Sequence, residues 1–403
     1  MACRLPYDIL QVVFEKLSCI SQIRYIQLNT VSYANMYITD WTDEHICHKF
    51  TSYILLYKYQ HQFITKLNIS YITCQNDQGI INRLHNLEYL NADNNFRIVS
   101  TNHLQYLQCL IATRNCGIDQ TCIDKLHTLR ELNANFNVRI ASVNHLKQLV
   151  KLSICGNCGV NQAGIAELRK LTILDCSDNT SIISINHLTN LRELSVRNDC
   201  GVDQTGIADL RDLVKLNTSF NRRIKSANHL AELRELRANC GFGIDQAGIN
   251  GLYGLRKLYI NHNHHIQSVN HLKNLRELRA RGYCSVLDQA GISQLRDLLV
   301  LHIDNNRFIT NVNHLTCLQE LRTGGYYSSL RETGLQLPSL LRLDIRNNRY
   351  ITDINHLTSL QELRVGGIHI ELSQTGINEL RNLTQITISK TPLTNAYTLV
   401  IPK

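Results

Sequence analysis

The sequence lacks the features that mark a membrane or secreted protein. No run approaches the roughly 20 consecutive apolar residues that a membrane span requires. Residues 1–19 scatter charged side chains among apolar ones, which is unlike a signal peptide. We therefore expect a soluble intracellular protein in the cytoplasm, with the nucleus as the second choice. The 14 cysteines should then remain thiols, because a reducing compartment disfavours disulfides.

Catalytic motifs are also missing. We find no nucleophile elbow, no phosphate-binding loop and no cluster of metal ligands in the sequence. Cys155 and Cys158 have the spacing of half a zinc site, but no second pair follows. We expect a protein that is not an enzyme and holds no metal or cofactor. The formal charge of +9 favours acidic partners, but the basic residues are spread along the chain, which disfavours nucleic acid.

One tripeptide, Asn-His-Leu, recurs through most of the chain. Consecutive copies are 42 residues apart five times and 43 residues apart once. Each interval contains two copies of a shorter pattern, Leu-x-x-Leu-x-apolar-x-x-Asn, and sixteen such starts lie between Ile64 and Leu383. The tripeptide begins at Asn102, Asn144, Asn186, Asn228, Asn270, Asn313 and Asn355.

This spacing predicts a solenoid. The Leu-x-Leu alternation places two apolar side chains on one face of a short strand, which a single strand cannot bury by itself. Stacked coils bury that face continuously and pair their strands into one curved parallel sheet. The asparagine that ends the pattern fits a tight turn, where its amide can satisfy buried backbone groups. This position is filled by Asn95, Asn115, Asn137, Asn157, Asn179, Asn221, Asn263, Asn306 and Asn348.

The repeats resemble the leucine-rich-repeat superfamily. Copies such as residues 347–357 resemble the short bacterial internalin-like class, and copies such as residues 200–210 resemble a shortened cysteine-containing class often found behind F-box modules. The resemblance implies an α/β leucine-rich-repeat solenoid with a small helical module in front of it. We assign residues 1–41 to that module, 42–63 to a junction or N-terminal cap, and 64–403 to the repeats.

The N-terminal segment has the pattern of a small helical module. Pro6 suits the first turn of a helix, and the apolar residues that follow share one helical face. Ser21 can cap a second helix, and a third helical segment is expected to end near Trp41. The order Leu-Pro, Ile-Leu, Phe, Leu, Val-Ser and Trp across residues 5–41 resembles an F-box. The residues that carry this pattern are Leu5, Pro6, Ile9, Leu10, Val13, Phe14, Leu17, Val31 and Trp41.

The F-box resemblance implies a substrate receptor of a cullin-RING ubiquitin ligase. In that class the F-box docks on a Skp-type adaptor, and the repeats hold a protein substrate. One alternative is that the same apolar residues only cap the solenoid. Another is an interaction scaffold or decoy that recruits no ligase. The near-identical repeats also resemble the expanded repeat families of large DNA viruses that infect protists, in which case the ligase would belong to the host.

The outer face of the predicted sheet is the expected substrate site. Its residues are mostly asparagine and serine in the N-terminal half, whereas arginines recur in the C-terminal half. Guanidinium groups pair with carboxylate or phosphate and stack on rings, so we expect an acidic or phosphorylated segment as ligand. The alternative is a solvated face whose glutamates neutralise the arginines. The predicted substrate-binding residues are Arg237, Tyr259, Arg279, Arg281, His302, Arg322, Arg346 and Arg364.

Three further recurring residue types are predicted to be structural. The tripeptide histidines recur every second coil, about 10 Å apart, which is too far for a shared zinc ion. We expect a ring nitrogen of each to bond a turn carbonyl. The cysteines at a similar pitch should be packed thiols, and the Asp-Gln pairs, such as Asp203-Gln204, should cap turns. These cysteines are Cys116, Cys158, Cys200 and Cys284.

Overall fold

The computed structural model describes residues 21–22, 38–42, 58–70, 77–367, 371–389 and 399–402. The residues of the F-box-like pattern other than Trp41 lie outside these ranges. The chain divides into two compact units, Met1–Leu191 (unit 1) and Arg192–Lys403 (unit 2). Among the described residues, no helix is long and apolar enough to cross a membrane.

Unit 1 consists of short parallel strands joined by coils. Its strands are β1 (Asp40–Trp41), β2 (Lys66–Asn68), β3 (Tyr89–Asn91), β4 (Cys109–Ile111), β5 (Glu131–Asn133), β6 (Lys151–Ser153) and β7 (Ile173–Asp175). Its short helices are a 3-10 helix at Lys58–Phe63, α1 (Asp77–Ile81), α2 (Gln120–Ile123) and a 3-10 helix at Ala163–Ile165. Each of β1 to β6 pairs in parallel with the strand that follows it.

Unit 2 repeats this plan. Its strands are β8 (Glu193–Ser195), β9 (Lys215–Asn217), β10 (Glu235–Arg237), β11 (Lys257–Tyr259), β12 (Glu277–Arg279), β13 (Val300–His302), β14 (Glu320–Arg322), β15 (Arg342–Asp344), β16 (Glu362–Gly366) and β17 (Gln385–Ser389). Its 3-10 helices are Thr205–Ile207, Ala247–Ile249, Ala290–Ile292, Glu332–Gly334 and Thr375–Ile377. Consecutive strands again pair in parallel.

The central leucine of each strand fixes the register. Leu236, Leu258 and Leu278 are neighbours on three consecutive strands, and all three are fully buried. Burial of one such side chain stabilises the fold by about 1.5 to 3 kcal/mol. A slip by one residue would move the leucines to the outer face, so this register is strongly favoured. The predicted leucine-rich-repeat solenoid is confirmed, and its sixteen predicted starts correspond to strands β2 to β17.

The sheet begins one strand earlier than the repeat pattern predicts. Trp41, expected at the end of a helical segment, lies in β1 and pairs with Leu67 of β2. Its side chain is 2% exposed, and its indole N–H donates to the Ile38 carbonyl at 3.1 Å. The indole is therefore a core group of unit 1.

A buried asparagine closes the turn after every second strand. Asn137 donates its side-chain amide to the carbonyls of Ala112 and Ile118 at 2.8 and 3.0 Å, and its oxygen accepts from the Arg139 N–H at 2.9 Å. Asn263 makes the corresponding amide bonds in unit 2. The predicted role is confirmed for the buried residues Asn95, Asn137, Asn179, Asn221, Asn263, Asn306 and Asn348, which we call the ladder asparagines.

The same prediction is wrong in the alternate coils. Asn115 and Asn157 are exposed, and the cysteine after each of them packs inward. The Sγ atoms of Cys116 and Cys158 each lie 3.3 Å from the amide nitrogen of the next ladder asparagine. The amide of the ladder asparagine already bonds the carbonyls of the alternate coil. The side-chain amide of Asn115 or Asn157 would therefore find no acceptor if it pointed inward, whereas a small thiol packs there without needing an acceptor.

The cysteine position is confirmed in three of the four predicted coils. Cys116 and Cys200 are buried thiols, and Cys158 is a half-buried one. In the fourth coil the position belongs to Ser285 instead of Cys284, because Ser285 is buried and accepts from a ladder asparagine at 3.4 Å. Burial raises the pKa of the Cys116 thiol to about 11, which keeps it protonated at neutral pH.

The connections between strands explain the remaining recurring residues. The Nε2 atom of His271 lies 3.0 Å from the Ile249 carbonyl. The same contact recurs, at 2.8 to 3.1 Å, for His103, His145, His187, His229, His314 and His356. The predicted structural role of the histidines is therefore confirmed. Within the described ranges, no group of three His, Cys, Asp or Glu side chains could hold a metal ion.

The Asp-Gln pairs cap turns, as predicted. The carboxylate of Asp203 accepts from the Gly206 N–H at 3.0 Å, and its hydrogen bond with the Thr205 side chain lowers the pKa of the carboxyl group. The side-chain oxygen of Gln204 accepts from two backbone N–H groups of the next coil, at residues 225 and 226. Each pair thus ties one coil to its neighbour.

Candidate interaction face

The outer face of the unit 2 sheet displays two columns of side chains beside the buried leucines. The first residue of each strand forms the first-residue column, and the third residue forms the third-residue column. The third-residue column runs, strand by strand, through Arg237, Tyr259, Arg279, His302, Arg322, Asp344 and Arg364. Six of the eight predicted substrate-binding residues therefore share one column. Arg281 and Arg346 follow it two positions further along their chains.

Glutamates of the first-residue column pair with these arginines. Arg237 lies 2.8 Å from the Glu235 carboxylate, and Arg279 lies 2.6 Å from that of Glu277. The neutralising glutamates that the sequence suggested as an alternative are therefore present. Ion pairs this exposed contribute only about 0 to 1 kcal/mol each. A guanidinium group has five N–H donors, so such a pair leaves others available to a bound ligand.

Tyr259 is held between two arginines. The guanidinium carbons of Arg237 and Arg279 each lie 4.9 Å from the centre of its ring, which is cation–π range. The residue is only 8% exposed. Burial, together with the nearby glutamate charges, raises the pKa of Tyr259 to about 12, so the phenol stays neutral. The ring therefore orders the two guanidinium groups and offers little surface of its own.

His302 is the most buried predicted site residue, with 1% side-chain exposure. Its Nε2 lies 2.9 Å from Glu320, and its Nδ1 has no hydrogen-bond partner among the described residues. Burial lowers the pKa of His302, and the charges of Arg322 and Arg279 add to this effect, although the hydrogen bond to Glu320 opposes it. The neutral ring is therefore favoured, with Nε2 donating to the carboxylate.

The C-terminal part of the face contains a shallow pocket of about 130 Å³. It is lined by Glu320, Arg322, Arg342, Asp344, Glu362 and Arg364, together with two leucines. Pockets that enclose a drug-sized ligand are larger, about 300 to 1,000 Å³. The geometry therefore suits the side chains of a polymer laid along the columns better than an enclosed metabolite.

The two remaining predicted residues are each tied to an aspartate. Arg281 lies 2.8 Å from Asp304, and Arg346 lies 2.6 Å from Asp344. Asp344 is buried in the third-residue column, and its hydrogen bond raises the pKa of Arg346. These arginines therefore border the face, and each is ion-paired just as Arg237 and Arg279 of the column are.

Sequence reasoning overlooked the turns that follow the strands. The two residues after each ladder asparagine are exposed or half-exposed; in unit 2 they are Arg222-Arg223, His264-His265, Arg307-Phe308 and Arg349-Tyr350. The alternate coils add the exposed rings of Phe242, Tyr283 and Tyr327 near the same edge. The sequence does mark these pairs, because each directly follows an asparagine that the repeat pattern locates.

Comparison with known proteins identifies the fold. No protein-family model and no curated protein matches the chain. A leucine-rich-repeat protein of Leptospira interrogans is similar to it in structure, with a TM-score of 0.55, 19% identity, and coverage of 91% of this chain and 98% of that one. The chain therefore has a leucine-rich-repeat fold.

A second solved structure, the TLR13–ssRNA13 complex, is similar with a TM-score of 0.55 and 19% identity. The match covers 84% of this chain and 55% of that chain, so this protein spans about half the length of that neighbour. At these identities the two likenesses concern the fold alone.

Proposed function

We propose that this protein is a non-catalytic receptor whose third-residue column in unit 2 holds an extended acidic or phosphorylated segment of a partner protein. The observation that carries the proposal is the recurrence of arginine at one register position on alternate strands. With strands about 4.8 Å apart, Arg237, Arg279, Arg322 and Arg364 repeat at about 10 Å along the column.

The flanking ion pairs fit this role. A carboxylate or phosphate on the ligand can use the guanidinium donors that Glu235 and Glu277 leave unoccupied. The ion pairs also keep the unbound face close to neutral, which favours segments of the correct geometry over any polyanion. Selectivity then depends on the spacing of acidic groups along the segment, and association should weaken as salt screens the charges over about 8 Å.

An array of extended acidic, phosphorylated and neutral peptides, probed with the full chain, tests this proposal. We expect acidic or phosphorylated peptides to be captured, and Arg279→Glu with Arg322→Glu to abolish the capture. The matched control is Lys273→Glu with Arg296→Glu, because both residues are exposed in the connections of the same unit. Equal capture by both double variants would mean that the column is only a solvated surface.

We further propose that the N-terminal F-box-like segment docks on a Skp-type adaptor, making the protein a substrate receptor of a cullin-RING ubiquitin ligase. Support comes from Leu5, Pro6 and the apolar residues that follow them in the sequence. Capture of the adaptor by the full chain should be lost in the Leu5→Ala, Phe14→Ala variant, while its circular dichroism stays unchanged. If the unaltered chain captures no adaptor, the protein is instead an interaction scaffold or decoy.

A further inference from the structure

A second surface of unit 2 lies beside the face, in the turns that follow strands β9 to β15. We call it the rim and define it as residues 220–223, 242, 262–265, 281–283, 305–308, 326–327 and 347–350. One residue before each ladder asparagine, such as His262 at φ 58° or Asn305 at φ 60°, takes a left-handed conformation. This tight turn directs the flanking side chains of every coil outward at the same edge of the sheet.

Aromatic rings are exposed along the rim. Phe220, Phe242, Tyr283, Phe308 and Tyr327 have exposures between 41% and 60%. Side chains of this size are normally covered in a monomeric protein, and a contiguous exposed group of them marks an interaction site. Tyr283 and Tyr327 have ring centres 6.2 Å apart, and the Tyr283 ring centre also lies 6.3 Å from the centre of the His262 ring. Rings from neighbouring coils are therefore in contact in the middle of the rim.

Cations accompany the rings. The guanidinium of Arg222 lies 4.6 Å from the ring centre of Phe242, and those of Arg307 and Arg349 each lie 4.9 Å from the ring that follows them in the chain. Among the described residues, no carboxylate forms an ion pair with these three arginines, unlike Arg281, which is paired with Asp304. Each thus presents a positive charge next to a ring, and the rings of Phe242 and Phe308 are exposed.

We propose that the rim of unit 2 binds single-stranded nucleic acid. Such a strand carries one phosphate and one flat base in every unit, and four of the seven turns of the rim combine an arginine with a ring: Phe220 with Arg222, Arg281 with Tyr283, Arg307 with Phe308 and Arg349 with Tyr350. Stacking of bases on aromatic side chains beside a basic track is how sequence-tolerant single-strand binding is achieved. A duplex keeps its bases stacked internally and could use only the charges. An acidic protein segment would likewise use the arginines, but it offers no regular series of flat groups to the rings.

The rim brings together basic residues that are far apart in the sequence. Basic residues are dispersed along the chain, which disfavoured nucleic acid as a ligand, but the solenoid returns to the same edge once per coil and collects them there. Residues as distant as Arg222 and Arg349 therefore belong to one surface. The rim uses residues separate from Arg279 and Arg322, so the proposal stands or fails independently of the peptide-binding column.

Fluorescence anisotropy of a labelled oligo-uridine, long enough to follow the rim for about 30 Å, tests the inference with the full chain. We expect binding, and we expect the logarithm of the binding constant to fall linearly with the logarithm of the salt concentration. Phe242→Ala, Tyr283→Ala and Tyr327→Ala should each weaken it roughly tenfold. Arg222→Glu with Arg307→Glu should weaken it and lower the salt slope by about 0.7 for each phosphate that the protein no longer neutralises. Because these two arginines are exposed and form no ion pair with a described carboxylate, this variant tests the charges without disturbing the core.

Tyr253→Ala is the matched control, since Tyr253 is 65% exposed in a connection of the same unit, away from the rim. It should leave the affinity unchanged, and a duplex of equal length should compete poorly. Affinity weaker than about 10⁻⁴ M at low salt would overturn the inference. The inference would also be overturned if polyglutamate displaced the oligo-uridine completely and the three ring variants bound it with unaltered affinity. The rim would then be a surface for acidic proteins.

Discussion

In unit 1 the third residue of strands β2 to β6 is asparagine, isoleucine or serine, whereas in unit 2 the same position of strands β10 to β16 is mostly arginine, tyrosine or histidine. The turns do not show this contrast, since unit 1 also exposes Phe96, whose ring centre lies 5.2 Å from the Arg97 guanidinium carbon. The buried leucines, the ladder asparagines and the histidine-to-carbonyl bonds are common to both units. One scaffold thus supports two surfaces, because the residues that hold the coils together are separate from those that they display.

The largest expected effect comes from removing a ladder asparagine, which both units share. Asn137→Ala and Asn263→Ala should each lower the free energy of unfolding by about 3 kcal/mol, because each leaves buried backbone groups without a partner. The decrease should be similar in both units, although their surfaces differ. Urea denaturation followed by circular dichroism measures it.

Asn115→Ala is the control for that experiment. Asn115 has the ladder spacing in the sequence, but its side chain is exposed, so its removal should change stability by less than about 0.5 kcal/mol. A large decrease at Asn115, or none at Asn137, would show that the assignment of the ladder asparagines is incorrect.

The contrast between Asn115 and Asn137 marks how far the sequence can predict this molecule. Strand register followed from periodicity, since every coil repeats the same burial requirement and a slip would expose leucines. The exposure of Asn115 did not follow, because the choice of inward residue depends on which carbonyls the neighbouring coil has already satisfied. The Tyr259 clamp, in which Arg237 and Arg279 lie against the Tyr259 ring, depends on side-chain positions in three strands. No single repeat encodes it. The predicted arginine column was recovered in register, and the glutamates that the sequence offered as neutralising partners lie 2.8 and 2.6 Å from Arg237 and Arg279.

A smaller effect distinguishes unit 2 by its pH dependence. The folded pKa of His302 is below its ordinary value of 6.5, so the unfolded chain takes up this proton first as the pH falls. Stability should therefore be unaffected by His302 above about pH 6.5 and decrease below it, by at most about 1.4 kcal/mol per pH unit for one proton. His302→Leu should flatten the fall of the urea midpoint between neutral and mildly acidic pH.

His265→Leu serves as the comparison, because this histidine lies exposed in the same unit. It should leave the slope of stability against pH unchanged. An equally steep acid-induced decrease in the His302→Leu variant would mean that other groups, such as the half-buried His229, whose pKa is also lowered by burial, dominate the response.

The smallest expected effect concerns the Tyr259 clamp, which has no counterpart among the asparagines and serines of unit 1. Tyr259→Phe keeps the ring between Arg237 and Arg279 and should retain both stability and peptide capture. Tyr259→Leu removes the π face. The ring is buried but the side chains of Arg237 and Arg279 are 50% and 39% exposed, so the loss of each cation–π interaction should cost about 0.5 to 1 kcal/mol. A double-mutant cycle with Arg237→Met isolates that coupling from the ion pair with Glu235. If Tyr259→Leu weakens peptide capture while both arginines remain, the ring acts by holding the guanidinium groups in place. If the coupling energy between Tyr259 and Arg237 is zero, the ring only fills space in the core.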